Sequence, residues 1–321
     1  MAVFITGVAG FIGCNLARAM LERGEEVGGF DNLCRGSAAN LEPLRRRAAF
    51  SFERIDLADI DAYRRALGAL HARSPITEVW HLAANSDIPA GTADPNVDLR
   101  DTFMTTFNTL LLMKELRIAT LAFASSSAVF GDRGGRKLSE DEGPLLPISN
   151  YGAMKLASEA AISAALETHL ERALVFRFPN VIGVPATHGV ILDFVRRLRA
   201  APGELEVLGD GNQQKCYLHV EEMVDAMLFI RAHARDKLNC FNVGADDEGA
   251  SVRFIAEQVV RRIAPQARIS FGAGAAGWPG DVPRFSYSIA KLARLGWRPR
   301  QTSAQAVSRA VDEIAVQEGA A

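Results

Sequence analysis

The chain has 321 residues, 48% hydrophobic and 23% charged, with a formal charge of −2 at pH 7. This composition supplies a large core and no overall basic field that would attract nucleic acid. The four cysteines are far apart and form no C-x-x-C pair, which argues against a metal site or a disulfide framework. The sequence has no run of about 18 apolar residues and begins with a strand-like run instead of a leader, so we expect a cytoplasmic protein without membrane contact.

The first predicted unit is a strand, a glycine-rich loop and a helix. Residues 1–5 form an apolar run, Gly7, Gly10 and Gly13 follow at three-residue spacing, and a helix is predicted over 14–23. Gly7 permits a turn with positive φ, Gly10 lets the backbone approach phosphate oxygens, and Gly13 lets the helix pack close to the strand. The loop therefore predicts a site for a dinucleotide pyrophosphate at the helix N-terminus, with a purely structural glycine turn as the alternative.

The βα alternation continues through the first half of the chain. A second apolar run, 26–30, ends at Asp31, where a dinucleotide-binding fold places the acidic residue that binds the adenosine ribose. An acidic residue there favours NAD over NADP, because it would repel a 2′-phosphate, although Asp31 could also be an ordinary surface residue. Further strands are predicted at 50–55, 79–84, 120–125 and 173–177, and further helices at 60–73, 98–116 and 151–171. Repeated units of this length predict an α/β fold with a doubly wound parallel (Rossmann) sheet.

Tyr151 and Lys155 are four residues apart at the start of a predicted helix, so both side chains emerge on one face. A phenol is a poor base at neutral pH. An adjacent ammonium together with the positive charge of a nicotinamide ring would lower its pKa by about 3 units. The pattern therefore predicts an acid/base tyrosine, and the alternative is an ordinary i,i+4 pair.

A serine cluster, 125–127, follows the predicted strand 120–125. Ligands bind outside the carboxyl ends of parallel strands, so a serine at this position can share a proton with Tyr151. Turn and capping roles are the alternative interpretation of these serines.

Beyond about Phe178 the pattern becomes less regular, with frequent Pro and Gly. Short strands are predicted at 207–211 and 267–271, and amphipathic helices at 221–235 and 252–263. We predict an NAD-binding domain over 1–177 and a smaller α/β region over 178–321 that mainly binds substrate, and leave open whether parts of it return to the large sheet.

Seven motifs together resemble the extended short-chain dehydrogenase/reductases, and among them the nucleotide-sugar epimerases and dehydratases, closest to UDP-glucose 4-epimerase-like members. The resemblance covers nearly the whole chain. The motifs are Thr6-Gly-x-x-Gly-Phe-Ile-Gly13, Asp31-Asn-Leu-x-Arg-Gly36, Asp56-Leu57, His81-Leu-Ala-Ala84, Ser125-Ser126, Tyr151-x-x-x-Lys155 and Arg177-Phe-Pro-Asn-Val-x-Gly183.

The resemblance implies roles for individual residues. Asp31 would contact the adenosine ribose, Asp56 and Leu57 would line the adenine pocket, and Asn180 would contact the sugar-nucleotide diphosphate. The implied catalytic residues are Ser126, Tyr151 and Lys155. The implied NAD-binding residues are Gly7, Gly10, Phe11, Ile12, Gly13, Asp31, Asn32, Asp56, Leu57, Leu82, Ala83, Ala84, Tyr151, Lys155 and Pro179. The implied substrate-binding residues are Ser127, Asn180, Lys215 and Arg284.

One stretch separates the subclasses. The 4,6-dehydratases of the family carry Thr-Asp-Glu where this chain has Ser126, Ser127 and Ala128. Without the two acidic groups, elimination of water lacks its general acid and base. We therefore predict an NAD-dependent nucleotide-sugar epimerase acting at C4 through a transient 4-keto intermediate. A ketoreductase or dehydratase of the same fold is the alternative, followed by a non-catalytic NAD-binding regulator.

The chain departs from the epimerase pattern where the diphosphate is expected to bind. Lys215 stands in place of an arginine, so the positive charge is kept but the bidentate fork is lost. Trp278 stands in place of a second arginine before Gly280-Asp281, and Arg284 is a candidate substitute. The nucleotide, the sugar and the carbon that is epimerised are left open by the sequence.

The predicted helices 98–116 and 151–171 carry much apolar surface, including Phe103, Phe107 and Ile162. Packing against the sheet accounts for part of it. In relatives the equivalent helix pair forms a four-helix interface, so the resemblance implies a homodimer.

Overall fold

A computed structural model of the protein describes residues 2–134, 136–274 and 284–320. The strands are β1 (Ala2–Thr6), β2 (Glu26–Asp31), β3 (Phe50–Arg54), β4 (Ile76–His81), β5 (Thr120–Ser126), β6 (Lys137–Leu138), β7 (Arg172–Phe178), β8 (Asn180–Ile182), β9 (Glu204–Val207), β10 (Gln214–Lys215), β11 (Tyr217–His219), β12 (Leu238–Asn242), β13 (Ala250–Ser251), β14 (Arg268–Phe271) and β15 (Arg284–Tyr287). The α-helices are α1 (Phe11–Glu22), α2 (Glu42–Arg45), α3 (Ile60–Arg73), α4 (Ile88–Ala93), α5 (Pro95–Asp98), α6 (Thr105–Leu116), α7 (Asn150–Leu166), α8 (Val190–Ala200), α9 (Val220–His233), α10 (Val252–Ile263), α11 (Ala290–Leu295) and α12 (Ser303–Gln317). Short 3₁₀ helices cover Ala38–Leu41 and Ser127–Phe130, and a π-helical segment covers Leu99–Met104.

The chain divides into two compact units. The first contains residues 1–131, 143–177 and 227–241, and the second contains 132–142, 178–226 and 242–321. Each unit is therefore built from separate stretches of the chain.

The first unit is organised around a seven-stranded sheet with the order β12-β7-β5-β4-β1-β2-β3. The pairs β2–β3, β1–β2, β1–β4 and β4–β5 are parallel, and the direction of chain progression reverses between β1 and β4. The predicted doubly wound parallel sheet is confirmed. Ligands in such sheets bind at the carboxyl ends of the strands beside the reversal, which here are the ends of β1 and β4.

The central strands are apolar because both sheet faces are covered. All five residues of β1 are buried, and Phe4 makes an edge-on contact with Phe30 at 4.8 Å between ring centroids. On β2, a Cβ at Gly28 would lie 2.7 Å from Leu70 of α3, and a Cβ at Gly29 would lie 2.5 Å from Val8. These two glycines therefore let α3 and the loop after β1 pack against opposite faces of the sheet.

The second unit is built from shorter elements. It has a four-stranded sheet with the order β13-β10-β15-β6 and the parallel pairs β8–β11 and β9–β14. The apolar faces of α8, α10 and α12 enclose its core, which includes Val195, Val259 and Val311. Thr302 and Gln305 form a reciprocal capping box at the start of α12.

Several predicted boundaries are wrong for local reasons. The helix predicted from residue 14 begins at Phe11, directly after the glycine loop. The helix predicted over 98–116 is interrupted by the π-helical segment. The Thr105 and Thr106 hydroxyls, at the start of α6, donate to backbone carbonyls within that segment. The strand predicted at 207–211 instead covers Glu204–Val207, because Gly209 and Gly211 have positive φ and turn the chain.

The other corrections concern where elements end. The helix predicted over 151–171 ends at Leu166, and the strand predicted at 79–84 covers Ile76–His81. Residues 82–84 consequently lie in the loop after β4. No helix within residues 2–134, 136–274 and 284–320 is long and apolar enough to span a membrane.

Candidate active site

The glycine loop joins β1 to α1 with the close contacts that its sequence predicts. Gly7 has a φ of +70°, as predicted, and a Cβ there would lie 2.8 Å from the Ala83 nitrogen. A Cβ at Gly13 would lie 2.2 Å from the Gly7 carbonyl oxygen, so only glycine lets α1 approach the loop. Gly10 caps α1 without a side-chain hydrogen bond, and Phe11, Ile12 and Gly13 form the first turn. The helix N-terminus and its dipole therefore face the loop, which is an arrangement suited to a phosphate group.

Asp31 ends β2 beside this loop and is 6% exposed. Its Oδ2 accepts from the Ala9 backbone N–H at 3.0 Å and its Oδ1 from Leu33 at 2.8 Å. Burial raises the pKa of Asp31, and the backbone N–H groups act in the opposite direction. Each carboxylate oxygen can accept a second hydrogen bond, so the orientation is fixed while acceptor capacity is left for a ribose hydroxyl.

The loop after β2 is tied to its surroundings. The Asn32 side chain accepts from the Cys34 backbone N–H at 3.0 Å, and the Arg35 guanidinium pairs with Asp87 at 2.9 Å. Because β1 lies between β2 and β4, this ion pair joins the loops on either side of the glycine loop. Sequence reasoning missed it, since nothing in the spacing of Arg35 and Asp87 indicates contact.

The other residues expected to bind the cofactor follow β3 and β4. Asp56 pairs with Arg100, and the backbone carbonyl of the buried Leu57 accepts from Asn108 at 2.9 Å. The backbone N–H groups of Leu82 and Ala83 donate to the Thr6 hydroxyl at 3.1 and 3.2 Å, and Ala84 follows them.

A buried polar chain starts at the same hydroxyl. His81 is fully buried and bonds Thr6 at 2.8 Å through Nδ1 and Thr106 at 3.1 Å through Nε2, and Ser158 donates to Thr106 at 3.1 Å. Thr6 already accepts two backbone N–H groups, so its own proton goes to Nδ1 of His81, and Nε2 carries the imidazole proton. Burial lowers the pKa of His81 to about 3, which keeps it neutral. The chain thereby links the glycine loop to α6 and α7.

Ser126, Tyr151 and Lys155 come together at the end of β5. Ser126 is the last residue of β5 and hydrogen-bonds the Tyr151 side chain. Tyr151 lies in the first turn of α7, which Ser149 caps by accepting from the Gly152 N–H. The Lys155 ammonium donates to the Ala124 carbonyl at 2.6 Å and lies 5.8 Å from the centroid of the Tyr151 ring.

Gly152 lets α7 lie close to the 3₁₀ turn Ser127–Phe130, which we call the serine turn. A Cβ there would lie 2.6 Å from the Ala128 carbonyl oxygen, so a larger residue would push the helix away from Ser127–Phe130. Ser127 is half-buried in this turn. A glycine directly after a candidate catalytic tyrosine is the signal that sequence reasoning did not use.

The protein's own groups raise the pKa of the Tyr151 phenol, whereas the sequence predicted that it would be lowered. Burial raises its pKa to about 12, the Ser126 hydrogen bond opposes this rise, and the negative charge of Asp98 adds to it. Burial lowers the pKa of Lys155 to about 7, against the charges of Glu159 and Asp98. Ionisation of Tyr151 near neutral pH therefore depends on a further positive charge, such as that of a nicotinamide ring.

Asp98 is a further buried group of this site. It is fully buried, and its Oδ1 accepts from the Asn85 side chain at 2.9 Å. Its Oδ2 has no hydrogen-bond partner within the described part of the chain. The Thr102 hydroxyl lies 3.5 Å from Oδ1 and accepts from the Asn85 backbone.

The second unit holds the other predicted site residues. Asn180 is exposed at the start of β8, after the half-buried Pro179, and pairs in register with Tyr217 of β11. Lys215 lies on β10, two residues before Tyr217 in the sequence, and is half-buried. Arg284 pairs through its backbone with Gln214. The Arg284 side chain, Trp278 and Gly280-Asp281 lie outside the described part of the structure.

A family model for the NAD dependent epimerase/dehydratase family matches residues 3–244. The chain belongs to this family. It is 28% identical over 332 residues to a UDP-glucose 4-epimerase of Mycolicibacterium smegmatis, covering 97% of this chain and 98% of that protein. A crystal structure of a UDP-galactose 4-epimerase has a TM-score of 0.86 and 33% identity, covering 99% of both chains. The crystal structure of a UDP-glucose 4-epimerase of Thermus thermophilus in complex with NAD has a TM-score of 0.84 and 28% identity over both full chains.

The sequence resemblance and the prediction of NAD as cofactor are thereby confirmed. The described residues also fit the cofactor physically. The loop after Thr6 has no room for a Cβ at Gly7 or Gly13, and a helix N-terminus and the oriented carboxylate of Asp31 flank it.

Proposed function

We propose that the protein is a nucleotide-sugar 4-epimerase that takes a UDP-sugar, inverts C4 through a transient 4-keto sugar and retains its NAD. The observation that carries the proposal is the convergence of Ser126, Tyr151 and Lys155 on one point of an NAD-dependent fold. The names of the relatives support it, because all three that are compared above are UDP-sugar 4-epimerases.

In this proposal the chain's own residues move the proton of the C4 hydroxyl and stabilise the phenolate that accepts it. Tyr151, ionised, accepts the proton of the C4 hydroxyl, and Ser126 shares that proton through their hydrogen bond. The Lys155 ammonium stabilises the phenolate, and its bond to the Ala124 carbonyl fixes its position. NAD, when bound, supplies the hydride acceptor and donor. Once the ketone has turned its other face, Tyr151 returns the proton and a C4 epimer results.

One sequence feature argues against dehydration, and one measurable difference separates the ketoreductase. Ser127 and Ala128 stand where a dehydratase needs an acid and a base, so water elimination has no proton donor at this position. A ketoreductase would consume NADH in proportion to product, and this difference makes it the second candidate to test.

The substrate side of the proposal rests on the second unit. Asn180 and Lys215 would bind the diphosphate, with Arg284 as a further cation and Ser127 as a contact to the sugar. The placement of both residues supports this assignment. Asn180 on β8 pairs in register with Tyr217 of β11, and Lys215 on β10 precedes Tyr217 by two residues. On this assignment residues 1–177 chiefly bind NAD and 178–321 chiefly bind the sugar nucleotide.

The proposal includes a homodimer that acts in the cytoplasm. Phe107 and Leu111, four residues apart on α6, are 48% and 36% exposed, and the Phe103 ring lies tilted against Phe107 at 6.3 Å between ring centroids. Such an apolar stripe on one helix face suits a helix-mediated contact between two copies. Light scattering should give twice the 34.7 kDa chain mass, and Phe107→Glu should halve it.

The function is tested by incubating purified protein with UDP-glucose and no added reductant, followed by mass spectrometry and NMR. The proposal expects an equilibrium mixture of two epimers of identical mass. A product lighter by one water would indicate a dehydratase. A product heavier by two hydrogens, formed only with NADH, would indicate a ketoreductase.

A further inference from the structure

Helix α7 carries a third ionisable side chain in line with Tyr151 and Lys155. Glu159 lies one turn beyond Lys155, so the three residues share one helix face. The Glu159 side chain is 12% exposed and accepts a bidentate pair from Arg177 of β7, at 3.0 Å to Oε1 and 2.8 Å to Oε2. Such a fork fixes the position of the carboxylate.

Glu159 also bonds the strand that carries Ser126. The buried Ser125 hydroxyl donates to Oε1 of Glu159. Three consecutive residues at the end of β5 are consequently bonded to three residues on one face of α7. Ala124 bonds Lys155, Ser125 bonds Glu159 and Ser126 bonds Tyr151.

Arg177 extends this connection to the serine turn. Its guanidinium lies over the Phe130 ring at 5.0 Å from the centroid, and Phe130 is the last residue of Ser127–Phe130. The Glu159–Arg177 pair therefore contacts Ser125, directly before Ser126, and Phe130, four residues after it. A loss of the pair is expected to loosen the position of the Ser126 hydroxyl relative to Tyr151.

The charges around Lys155 come from four elements. Asp98 of α5 and Glu159 of α7 are negative, Arg177 of β7 is positive and paired with Glu159, and His81 of β4 is neutral. The Tyr151 ring lies beside the ammonium on the same helix. Burial lowers the pKa of Lys155 to about 7, although both carboxylates act to raise it. Lys155 loses its positive charge as the pH rises through this pKa. Removal of either carboxylate would lower the pKa, so the charge would be lost at a lower pH.

We propose that Glu159 is a positioning residue with two effects: it fixes Ser125, and so the end of β5 that carries Ser126, and it places a negative charge one helical turn from Lys155. The catalytic consequence rests on the proposed epimerase function, whereas the effect on Lys155 does not depend on any substrate. The two are therefore tested by separate measurements.

The effect on Lys155 is measured on the NAD-loaded protein by NMR with ε-¹³C-lysine. The chain has six lysines, so six signals are expected, and Lys155→Met assigns the relevant one. Glu159→Gln, which keeps the shape of the side chain and removes its charge, should lower the midpoint of the Lys155 titration by about one pH unit. Ser125→Ala is the matched control: it removes the hydrogen bond but keeps the charge, and the midpoint should stay in place.

The positioning effect is measured by kinetics with UDP-glucose. Ser125→Ala should lower kcat about threefold to tenfold with KM nearly unchanged and no shift of the alkaline limb of the pH profile. Glu159→Gln should lower kcat further and move that limb to lower pH. Wild-type kcat in Ser125→Ala, or an unshifted Lys155 midpoint in Glu159→Gln, would overturn the inference.

A further variant covers the case in which Glu159→Gln does not fold. Arg177→Gln leaves the Glu159 carboxylate uncompensated, so the Lys155 midpoint should rise, and an unchanged or lowered midpoint would contradict the role of Glu159. If the midpoints move as expected while the wild-type protein epimerises no nucleotide sugar, the proposed function fails and the effect of Glu159 on Lys155 stands.

Discussion

The two units of this protein offer different kinds of candidate binding groups. In the first, the glycine loop and the first turn of α1 are shaped by backbone, and a single Cβ at Gly13 would lie 2.2 Å from a carbonyl oxygen. In the second, the expected ligands Asn180 and Lys215 are side chains on short strands of an irregular region. A site made by backbone tolerates almost no change, whereas a site made by charged side chains can exchange one cation for another at modest cost. If Asn180 and Lys215 bind the diphosphate as proposed, this difference accounts for a glycine motif that matches its family and a lysine at position 215 that departs from it.

The largest effect is expected where backbone forms the site. Gly13→Val should abolish NAD binding by calorimetry, because the new side chain would force α1 away from Gly7. Gly68→Ala is the matched control, since a Cβ at Gly68 on α3 meets nothing within 4 Å. That variant should bind NAD like the wild type and be about 0.5–1 kcal/mol more stable to urea. Normal NAD binding by Gly13→Val would contradict the claim that close backbone packing forms this site.

The next effect concerns the candidate catalytic side chains of the first unit. Tyr151→Phe should keep folding and NAD binding and lower kcat by at least about 100-fold, because the hydroxyl that moves the proton is lost. Ser126→Ala should lower kcat less, since water can replace its part in the proton relay. Equal losses in both variants would mean that Ser126 holds the proton as directly as Tyr151.

Sequence reasoning was most successful where one residue type at one position has one physical use. Gly7 with its positive φ, the parallel sheet and the junction of β5 with α7 follow from local pattern. The π-helical segment, the His81 chain and the Glu159–Arg177 pair do not. They depend on polar side chains from different segments, and the residue spacing within one segment does not predict such contacts. The opposite shift of the Tyr151 pKa was missed for the same reason, because burial is a property of the whole fold.

A smaller effect is expected in the second unit. Lys215→Ala should raise KM for UDP-glucose about tenfold and change kcat little, which is the signature of lost uniform binding. Lys215→Arg restores the bidentate fork and should lower KM below the wild-type value. If both variants keep the wild-type KM, the diphosphate binds elsewhere and Arg284 becomes the next residue to change.

The smallest effect is expected at the Arg35–Asp87 pair, which is partly exposed at 40% and 33%. Exposed ion pairs contribute only about 0–1 kcal/mol, so Arg35→Ala and Asp87→Ala should each raise the Kd for NAD about twofold to fivefold. The increase should shrink in 1 M salt, where the interaction is screened. A loss of more than about 100-fold would show that these residues contact NAD directly.

The central claim is that the C4 hydrogen leaves the sugar and returns to it within one active site. UDP-glucose carrying deuterium at C4 is incubated with catalytic amounts of the protein, without added cofactor, and the product is examined by ¹H and ²H NMR. The account predicts a C4 epimer of unchanged mass that keeps deuterium at C4. Loss of deuterium to solvent, or product formation only when NADH is supplied, would contradict it.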